Sequence, residues 1–191
     1  MYSAILAEAA GWSPEQIQQI GLAAPIHDIG KIGIPDTILR KSSALTRQET
    51  EIMQLHASIG AGMLLGLKSP ILRMAEQIAR CHHERWDGLG YPTGLAGRDI
   101  PECARIVAIA DVFDALTHDR VYRPAMSLED ALSILRNGRG SHFDPDLLDL
   151  FLEQIPEIEQ FAQCHPDRIQ DDTEFRASVG ITATHEGACQ G

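Results

Sequence analysis

The chain has 191 residues, of which 44% are hydrophobic and 23% charged, a balance that suits one globular domain with its own core. The formal net charge of −11 argues against a sequence-independent nucleic-acid binder, which needs a basic surface. No apolar run approaches the ~18–20 residues of a membrane span, and the four scattered cysteines predict reduced thiols in a cytoplasmic protein.

Helix signals dominate the N-terminal part of the chain. Residues 2–10 form a short helical stretch, and Ser13-Pro14-Glu15 supplies the cap, the proline and the acid that open a second helix. This helix runs toward His27, with a kink expected at Pro25. Two glycines and a proline then predict a loop over residues 30–36.

Two longer helices are predicted next. Thr46 and Glu49 form a capping box that opens the first, which carries apolar residues and a histidine at helical spacing: Ile52, His56, Ile59 and Met63. Ser69-Pro70 starts the second helix, which reaches His82 and His83.

Residues 84–101 contain so many glycines and prolines that they predict a long ordered loop of the functional kind. Residues 101–117 are strongly apolar and predict a helix, although "RIVAIADVF" alone could pass for a buried strand. Ser127 with Asp130 caps a further helix, and a last one begins near Asp144-Pro145 and breaks at Pro156. The pattern predicts an all-α single domain over residues 1–160 and a loosely ordered tail over 161–191.

Six residues form the strongest candidate site, because imidazole and carboxylate groups are suited to divalent iron, manganese or zinc. They comprise two adjacent pairs that lie where helices run into glycine-rich loops, and two single residues: His27, Asp28, His56, His82, His83 and Asp111. Asp28 has two oxygens and could bridge two ions while each histidine binds one. Taken singly, a histidine such as His56 is more often a hydrogen-bonded core residue than a ligand, and the plain alternative for Asp111 is to cap a helix or form an ion pair.

Several motifs occur in a fixed order along the chain. They are "HDIGKIGIPD" from His27, the pair His56 and Gly60, "HHERWDGLGYPTGL" from His82, "RIVAIADVFDALTHDRVYR" from Arg105, and "HFDP" from His142. Together they resemble the signature of the HD-GYP family over roughly residues 1–155. The resemblance implies an all-helical HD-type bundle with a long GYP loop.

The resemblance also implies a metal-dependent phosphodiesterase that hydrolyses cyclic di-GMP to linear pGpG and on to GMP. It makes the six candidates the metal ligands, and it gives Lys31 and Asp28 catalytic roles, with Lys31 contacting the scissile phosphate. Iron or manganese is expected, with zinc, nickel and magnesium as alternatives. A solvated loop lysine is the plain alternative for Lys31.

The remaining assignments concern substrate and partners. Tyr91 of the GYP triplet could stack on a guanine, dock a diguanylate cyclase (GGDEF) domain, or, with Trp86, simply hold the loop on the core. Arg120 and Arg123 lie three apart and could hold phosphate oxygens. Two further candidates are weaker: Arg105 could bind phosphate or pair with Asp99 or Glu102, and Asp114 could orient a ligand or be structural.

One departure from the family pattern concerns the metal count. Family members carry another metal-binding histidine on a helix before the HD pair, and trinuclear members add a glutamate near it. No histidine precedes His27, and Glu8 does not match that glutamate. The chain begins just after the expected position, so we expect either a truncated chain, which we favour, or a protein that has lost a ligand. In both cases we expect two ions rather than three.

Two other functions compete with the phosphodiesterase. The first is a catalytically weak module that binds the dinucleotide or docks a cyclase domain, which the missing histidine favours. The second is an HD phosphohydrolase acting on nucleoside phosphates, against which the intact GYP loop argues.

Overall fold

The computed structural model describes residues 1–119 and 125–164. Regular secondary structure in these residues is helical throughout, apart from one isolated bridge between Arg139 and Phe143. The predicted all-α class is therefore confirmed. The α-helices are α1 (Tyr2–Ala9), α2 (Pro14–Ala23), α3 (Asp36–Leu39), α4 (Arg47–Leu64), α5 (Pro70–Cys81), α6 (Glu102–Thr117), α7 (Leu128–Asn137), α8 (Pro145–Glu153) and α9 (Ile155–Cys164).

A first compact unit spans Met1–Gln154 and contains α1 to α8. Helix α6 lies at its centre and packs against α1, α5, α7 and α8. Its sequence is apolar on nearly every side, and Ile106, Ile109 and Phe113 are all buried. The stretch that could have passed for a strand is thus a central buried helix.

Capping side chains fix where several helices begin. Ser13 and Thr46 each form a full capping box, with Gln16 and Glu49 respectively. Ser127 accepts from the main-chain N–H of Asp130 at the start of α7. These starts lie where the sequence predicted them.

The segment between α2 and α3 is more regular than predicted. Helix α2 ends at Ala23, and a 3₁₀ turn over Ala24–Ile26 that contains Pro25 replaces the expected kink. A second 3₁₀ helix spans Ile29–Gly33, where the sequence predicted only a loop. Its i to i+3 hydrogen bonds accommodate the two glycines in a tight turn that a composition argument does not detect.

The buried face of α4 also differs from the prediction. The side chains that it buries are small or polar for the most part: His56, Ala57, Gly60, Ala61 and Leu64. Ile52 and Met63 are exposed instead. Helix α5 and the 29–33 turn approach α4 closely, and only its small residues leave room for that contact.

The prediction that Pro156 breaks the last helix is wrong in detail. Helix α8 already ends at Glu153, and Pro156 lies in the first turn of α9, where a missing N–H costs nothing. Helix α9 belongs to a second unit that starts at Ile155. Most of the tail predicted for 161–191 lies outside the described residues. In the described part of the chain, no helix has both the length and the apolar character that crossing a membrane requires.

Candidate metal centre

Four separate parts of the first unit contribute the six candidate ligands. His27 and Asp28 link the two 3₁₀ segments, and His56 lies in the middle of α4. His82 is the C-terminal cap of α5, with His83 directly after it. Asp111 lies in the middle of α6.

The structure brings these side chains together around Asp28. Its Oδ1 atom lies 3.4 Å from Nε2 of His56 and 3.8 Å from Nε2 of His82. Its Oδ2 atom lies 3.3 Å from Nε2 of His27. Nε2 of His83 lies 3.2 Å from Nε2 of His56. The ligand atoms of Asp28, His56, His82 and His83 are all within 4.8 Å of one another.

His27 connects this group to the sixth candidate. Its Nε2 atom lies 3.7 Å from Oδ1 of Asp111, on the side of His27 that also faces Asp28. The two carboxylates therefore flank one imidazole. The arrangement has two arms that share Asp28: one with His56, His82 and His83, and one with His27 and Asp111.

Main-chain carbonyls orient three of the four histidines. Nδ1 of His27 lies 2.8 Å from the oxygen of Ala24, and Nδ1 of His56 lies 2.6 Å from that of Met53. Nδ1 of His82 lies 3.0 Å from the oxygen of Ile78. A carbonyl accepts only, so each Nδ1 carries a proton, and Nε2, the atom that faces the cluster, is the nitrogen that can bind a metal when the ring is neutral. Metal-binding histidines in proteins are oriented in this way.

The local electrostatics keep three of the candidate ligands, His82, His83 and Asp28, in the protonation states that bind a metal, whereas they favour the protonated form of His27. Burial, followed by the neighbouring imidazoles, lowers the pKa of His82 to about 4 and that of His83 to about 2. Burial alone would raise the pKa of Asp28, but hydrogen bonds with His27 and Lys31 hold it far below its usual range. Burial opposes protonation of His27, yet Asp28 and Asp111 raise its pKa overall.

Two buried polar atoms test whether a metal fits this donor set. Oδ1 of Asp28 and Nε2 of His82 have no hydrogen-bond partner among the described residues. Buried acceptors are rarely left unpaired in proteins. A carboxylate oxygen and a neutral imidazole nitrogen are both ligands for divalent transition metals. The cluster can therefore hold a divalent cation.

Lys31 lies at the same site. The 3₁₀ turn brings its Nζ atom to 2.5 Å from Oδ2 of Asp28, three residues earlier, and about two fifths of its side chain is exposed. The ammonium group thus borders the cluster on a side that solvent reaches. It is positioned to meet an anion that approaches the candidate ligands.

The GYP loop covers the other edge of the cluster. The ring of Tyr91 stacks on the imidazole of His83, with 4.7 Å between centroids and 26° between planes. Burial, followed by the charges of Asp28 and Asp111, raises the pKa of the Tyr91 hydroxyl above its ordinary value. Of the alternatives that the sequence left open for Tyr91, packing of the loop onto the protein is observed directly.

Sequence reasoning missed Glu84, which follows the histidine pair. Only 2% of Glu84 is exposed, and its carboxylate accepts four hydrogen bonds from residues 93–95. Charged side chains are seldom buried without a dedicated set of partners. The signal that could have identified Glu84 was its position directly after the two histidines in the motif "HHERWDGLGYPTGL".

Two weaker candidates, Arg105 and Asp114, have partners within the protein. Arg105 forms an ion pair with Asp144 rather than with Asp99 or Glu102, and it also donates to the carbonyl of Ile100. Asp144 accepts from the first main-chain N–H groups of α8, so the pair joins two helices. Asp114 lies 3.3 Å from Nδ1 of His118, and it is this histidine, not a candidate ligand, that it orients. Arg120 and Arg123 lie outside the described residues.

Comparison with known proteins agrees with this geometry. The family model described as "HD domain" matches residues 1–147, which is most of the chain. The chain belongs to the HD-domain family. Several curated cyclic di-GMP phosphodiesterases are 38–48% identical to this HD domain, and the resemblance to the HD-GYP family is confirmed.

Three relatives illustrate the range of sequence identity and of coverage. A probable cyclic di-GMP phosphodiesterase of Vibrio cholerae is 48% identical over 81% of this chain and 36% of its own length. A cyclic di-GMP phosphodiesterase of Thermotoga maritima is 46% identical over 80% of this chain and 42% of its own. A 3′3′-cGAMP-specific phosphodiesterase of V. cholerae is 42% identical over 87% of this chain and 32% of its own length. The chain thus spans less than half the length of these relatives.

A solved structure supports the fold of the HD domain. The crystal structure of a cyclic GMP-AMP specific phosphodiesterase of V. cholerae superposes with a TM-score of 0.60 at 17% identity. The match covers 84% of this chain and 43% of that one.

Proposed function

We propose that this HD domain is a metal-dependent phosphodiesterase that hydrolyses cyclic di-GMP to linear pGpG, GMP, or both. The observation that carries the proposal is the cluster around Asp28, in which a carboxylate and three imidazoles offer ligand atoms within 4.8 Å of one another. Relatives named as cyclic di-GMP phosphodiesterases supply the substrate class.

The cluster suits two divalent ions, and we propose iron or manganese, with zinc, nickel and magnesium as alternatives. Oδ1 of Asp28 faces His56 and His82, whereas Oδ2 faces His27, so the two oxygens serve different arms. When bound, such ions supply Lewis acidity and lower the pKa of water.

Lys31 is proposed to hold the scissile phosphate. Its ammonium lies next to Asp28 at a solvent-accessible edge, where a phosphodiester reaching the ligands would meet it. A fixed cation beside the reacting phosphoryl group stabilises the charge that develops in the transition state. Asp28 orients this ammonium through the 2.5 Å contact.

Other groups are proposed to bind the rest of the substrate. Tyr91 would contact a guanine through the ring face that does not meet His83. Arg120 and Arg123 would bind phosphate oxygens, as their spacing of three residues suggests for a helical segment. The cytoplasmic location expected from the cysteines also stays a prediction.

The test is anaerobic reconstitution with iron(II) or manganese(II), followed by chromatography of cyclic di-GMP and, in parallel, 3′3′-cGAMP. The second substrate is included because several relatives are named for it. Turnover that a His27→Ala, Asp28→Ala double variant abolishes supports the proposal. His118→Ala is the matched control, because His118 is not one of the six candidate ligands and its imidazole pairs with Asp114. Metal-loaded protein that leaves both dinucleotides intact would refute the proposal.

A second candidate function is docking of a GGDEF domain on the GYP loop. Leu89, two residues before Tyr91, is 80% exposed, so the loop offers an apolar tip to a partner. Calorimetric titration with a purified GGDEF domain tests this function. Weaker binding to the Leu89→Ser variant than to the wild type supports this function. Equal binding to the wild type and the variant shows that Leu89 is not part of the contact.

A further inference from the structure

His83 differs from the other three histidines of the cluster in how its ring is held. His27, His56 and His82 each direct Nδ1 to a main-chain carbonyl. No carbonyl among the described residues holds Nδ1 of His83 in this way. Its ring lies against three aromatic rings, those of His82, Tyr91 and His56, at 3.9, 4.7 and 5.0 Å between centroids, and its Nε2 atom lies 3.2 Å from Nε2 of His56.

The stack on Tyr91 is the flattest of these three ring contacts. The planes of His83 and Tyr91 meet at 26°, whereas those of His82 and His83 meet at 43°. The main chain fixes the same pair, because the N–H of Tyr91 donates to the carbonyl of His83 over 3.2 Å. Tyr91 is therefore attached to His83 both through the backbone and through its ring.

Gly90 makes this approach of the two segments sterically feasible. A Cβ atom added at Gly90 would lie 2.4 Å from the nitrogen of Arg85 and 2.6 Å from the carbonyl oxygen of His83. Any side chain at this position would push the loop away from the histidine. The glycine thus serves the close approach of backbone to backbone.

Glu84 secures the far side of the loop. Its Oε1 atom accepts from the N–H of Thr93 over 2.8 Å and from the hydroxyl of Thr93 over 2.6 Å. Its Oε2 atom accepts from the N–H groups of Gly94 at 3.0 Å and Leu95 at 3.1 Å. One buried carboxylate next to His83 therefore closes residues 84–95 into a rigid loop.

We propose that Glu84 and Tyr91 are positioning residues for the metal ligand His83. Glu84 fixes the loop, the loop fixes the Tyr91 ring, and the ring replaces the carbonyl that orients each of the other three histidines. The inference rests on the proposed metal-dependent function. It gives the tyrosine of the GYP triplet the role of holding the ligand His83 in its orientation.

Cobalt(II) binding tests the proposal, because the visible absorption of bound cobalt reports the ligand geometry directly. The titration uses the full 191-residue chain as wild type, Tyr91→Phe and Tyr91→Leu. Tyr91→Phe keeps the stacked ring, so we expect wild-type affinity and absorption. Tyr91→Leu removes the ring, and we expect roughly tenfold weaker cobalt binding with a changed spectrum, the usual result when a group that orients a ligand is lost.

Two variants of Thr93 test the role of Glu84 in fixing the loop. They are needed because removing a buried carboxylate outright can unfold a domain. Thr93→Val deletes one of the four hydrogen bonds while keeping the shape of the side chain, and Thr93→Ser keeps the hydroxyl. We expect weaker cobalt binding in Thr93→Val, recovery in Thr93→Ser, and a larger loss in Glu84→Gln. Circular dichroism of the metal-free proteins verifies that each variant is folded.

The outcomes separate this inference from the proposed function. Tyr91→Leu that binds cobalt like the wild type, with the same spectrum, overturns the inference. If that variant binds cobalt normally but loses turnover, Tyr91 contacts the substrate instead, and the phosphodiesterase proposal survives. Wild-type protein that binds neither cobalt(II) nor iron(II) nor manganese(II) overturns both proposals at once.

Discussion

The alpha carbon of Gly30 faces the main-chain carbonyl of His56 so closely that a Cβ atom at Gly30 would lie 2.0 Å from that oxygen. The same atom would lie 2.4 Å from the nitrogen of Gly60. The turn that carries Asp28 and Lys31 is thereby pressed directly onto the helix that carries His56. This contact sets the distance between two ligands from different elements.

Gly30→Ala should destabilise the domain and weaken metal binding together. Backbone atoms cannot yield as a flexible side chain does, so the turn must move away from α4. We expect a loss of about 2–3 kcal/mol in the free energy of unfolding, as in other overpacked sites. Urea unfolding followed by circular dichroism measures the stability, and manganese titration measures the accompanying loss of affinity.

Gly21→Ala is the matched control. Gly21 lies inside α2, and a Cβ atom there meets nothing within 4 Å. Alanine favours a helix over glycine by about 0.5–1 kcal/mol, so this variant should be slightly stabilised. Equal effects of the two substitutions would mean that the contact between Gly30 and His56 is not what matters.

Asp28→Asn should remove most of the bound metal while leaving the fold intact. The amide keeps the size of the carboxylate but replaces one oxygen with an NH₂ donor, which cannot bind a cation. One of the two arms that share Asp28 then loses its common ligand. Elemental analysis after anaerobic loading measures metal per chain, and turnover of cyclic di-GMP should disappear in the same sample.

Asp114→Asn makes the same chemical change on a carboxylate that pairs with His118. It should retain wild-type metal content. Metal loss in this control, or full metal content in Asp28→Asn, contradicts the assignment of Asp28 as the shared ligand.

Sequence reasoning located the helices because caps and periodicity are local properties. Ser13, Thr46 and Ser127 each identify a helix start without knowledge of the tertiary structure. The buried face of α4 could not be found in this way. The apolar residues Ile52 and Met63 suggested one face, but the close approach of Gly30 selects the face with Gly60.

The candidate ligands were identified from motif and residue type, but their arrangement was not predictable. That Asp28 directs its two oxygens to different histidines depends on the 3₁₀ turns on either side of it. The partner of Arg105 was missed for a similar reason. Asp144 lies 39 residues away in sequence, and sequence spacing alone favoured nearby acids such as Asp99.

Lys31→Met should reduce turnover without removing metal. Methionine keeps the apolar length of the side chain and deletes the ammonium beside Asp28. Loss of one positioned donor to a developing charge costs roughly 10²–10³ in kcat, so we expect a decrease of that order. Steady-state kinetics with cyclic di-GMP and metal analysis of the same protein separate the two effects.

The control for this variant is Lys68→Met, since Lys68 is exposed beyond the end of α4. It should have wild-type kcat. A Lys31→Met protein that turns over at the wild-type rate would make Lys31 a solvated surface lysine, the plain alternative that the sequence left open.

Arg105→Met should unfold the domain more easily without any direct effect on the metal ligands. The side chains of Arg105 and Asp144 are only 14% and 3% exposed, so removing the guanidinium leaves a buried carboxylate without its cation. Breaking such a pair costs about 3–5 kcal/mol.

Arg139→Met is the matched control, because Arg139 pairs with Asp149 on the surface, where both side chains are half exposed and the pair is screened by solvent. Urea unfolding should show a large decrease in stability for Arg105→Met and little or no change for Arg139→Met. If Arg105→Met instead keeps wild-type stability and raises KM for cyclic di-GMP, Arg105 is a phosphate-binding residue after all.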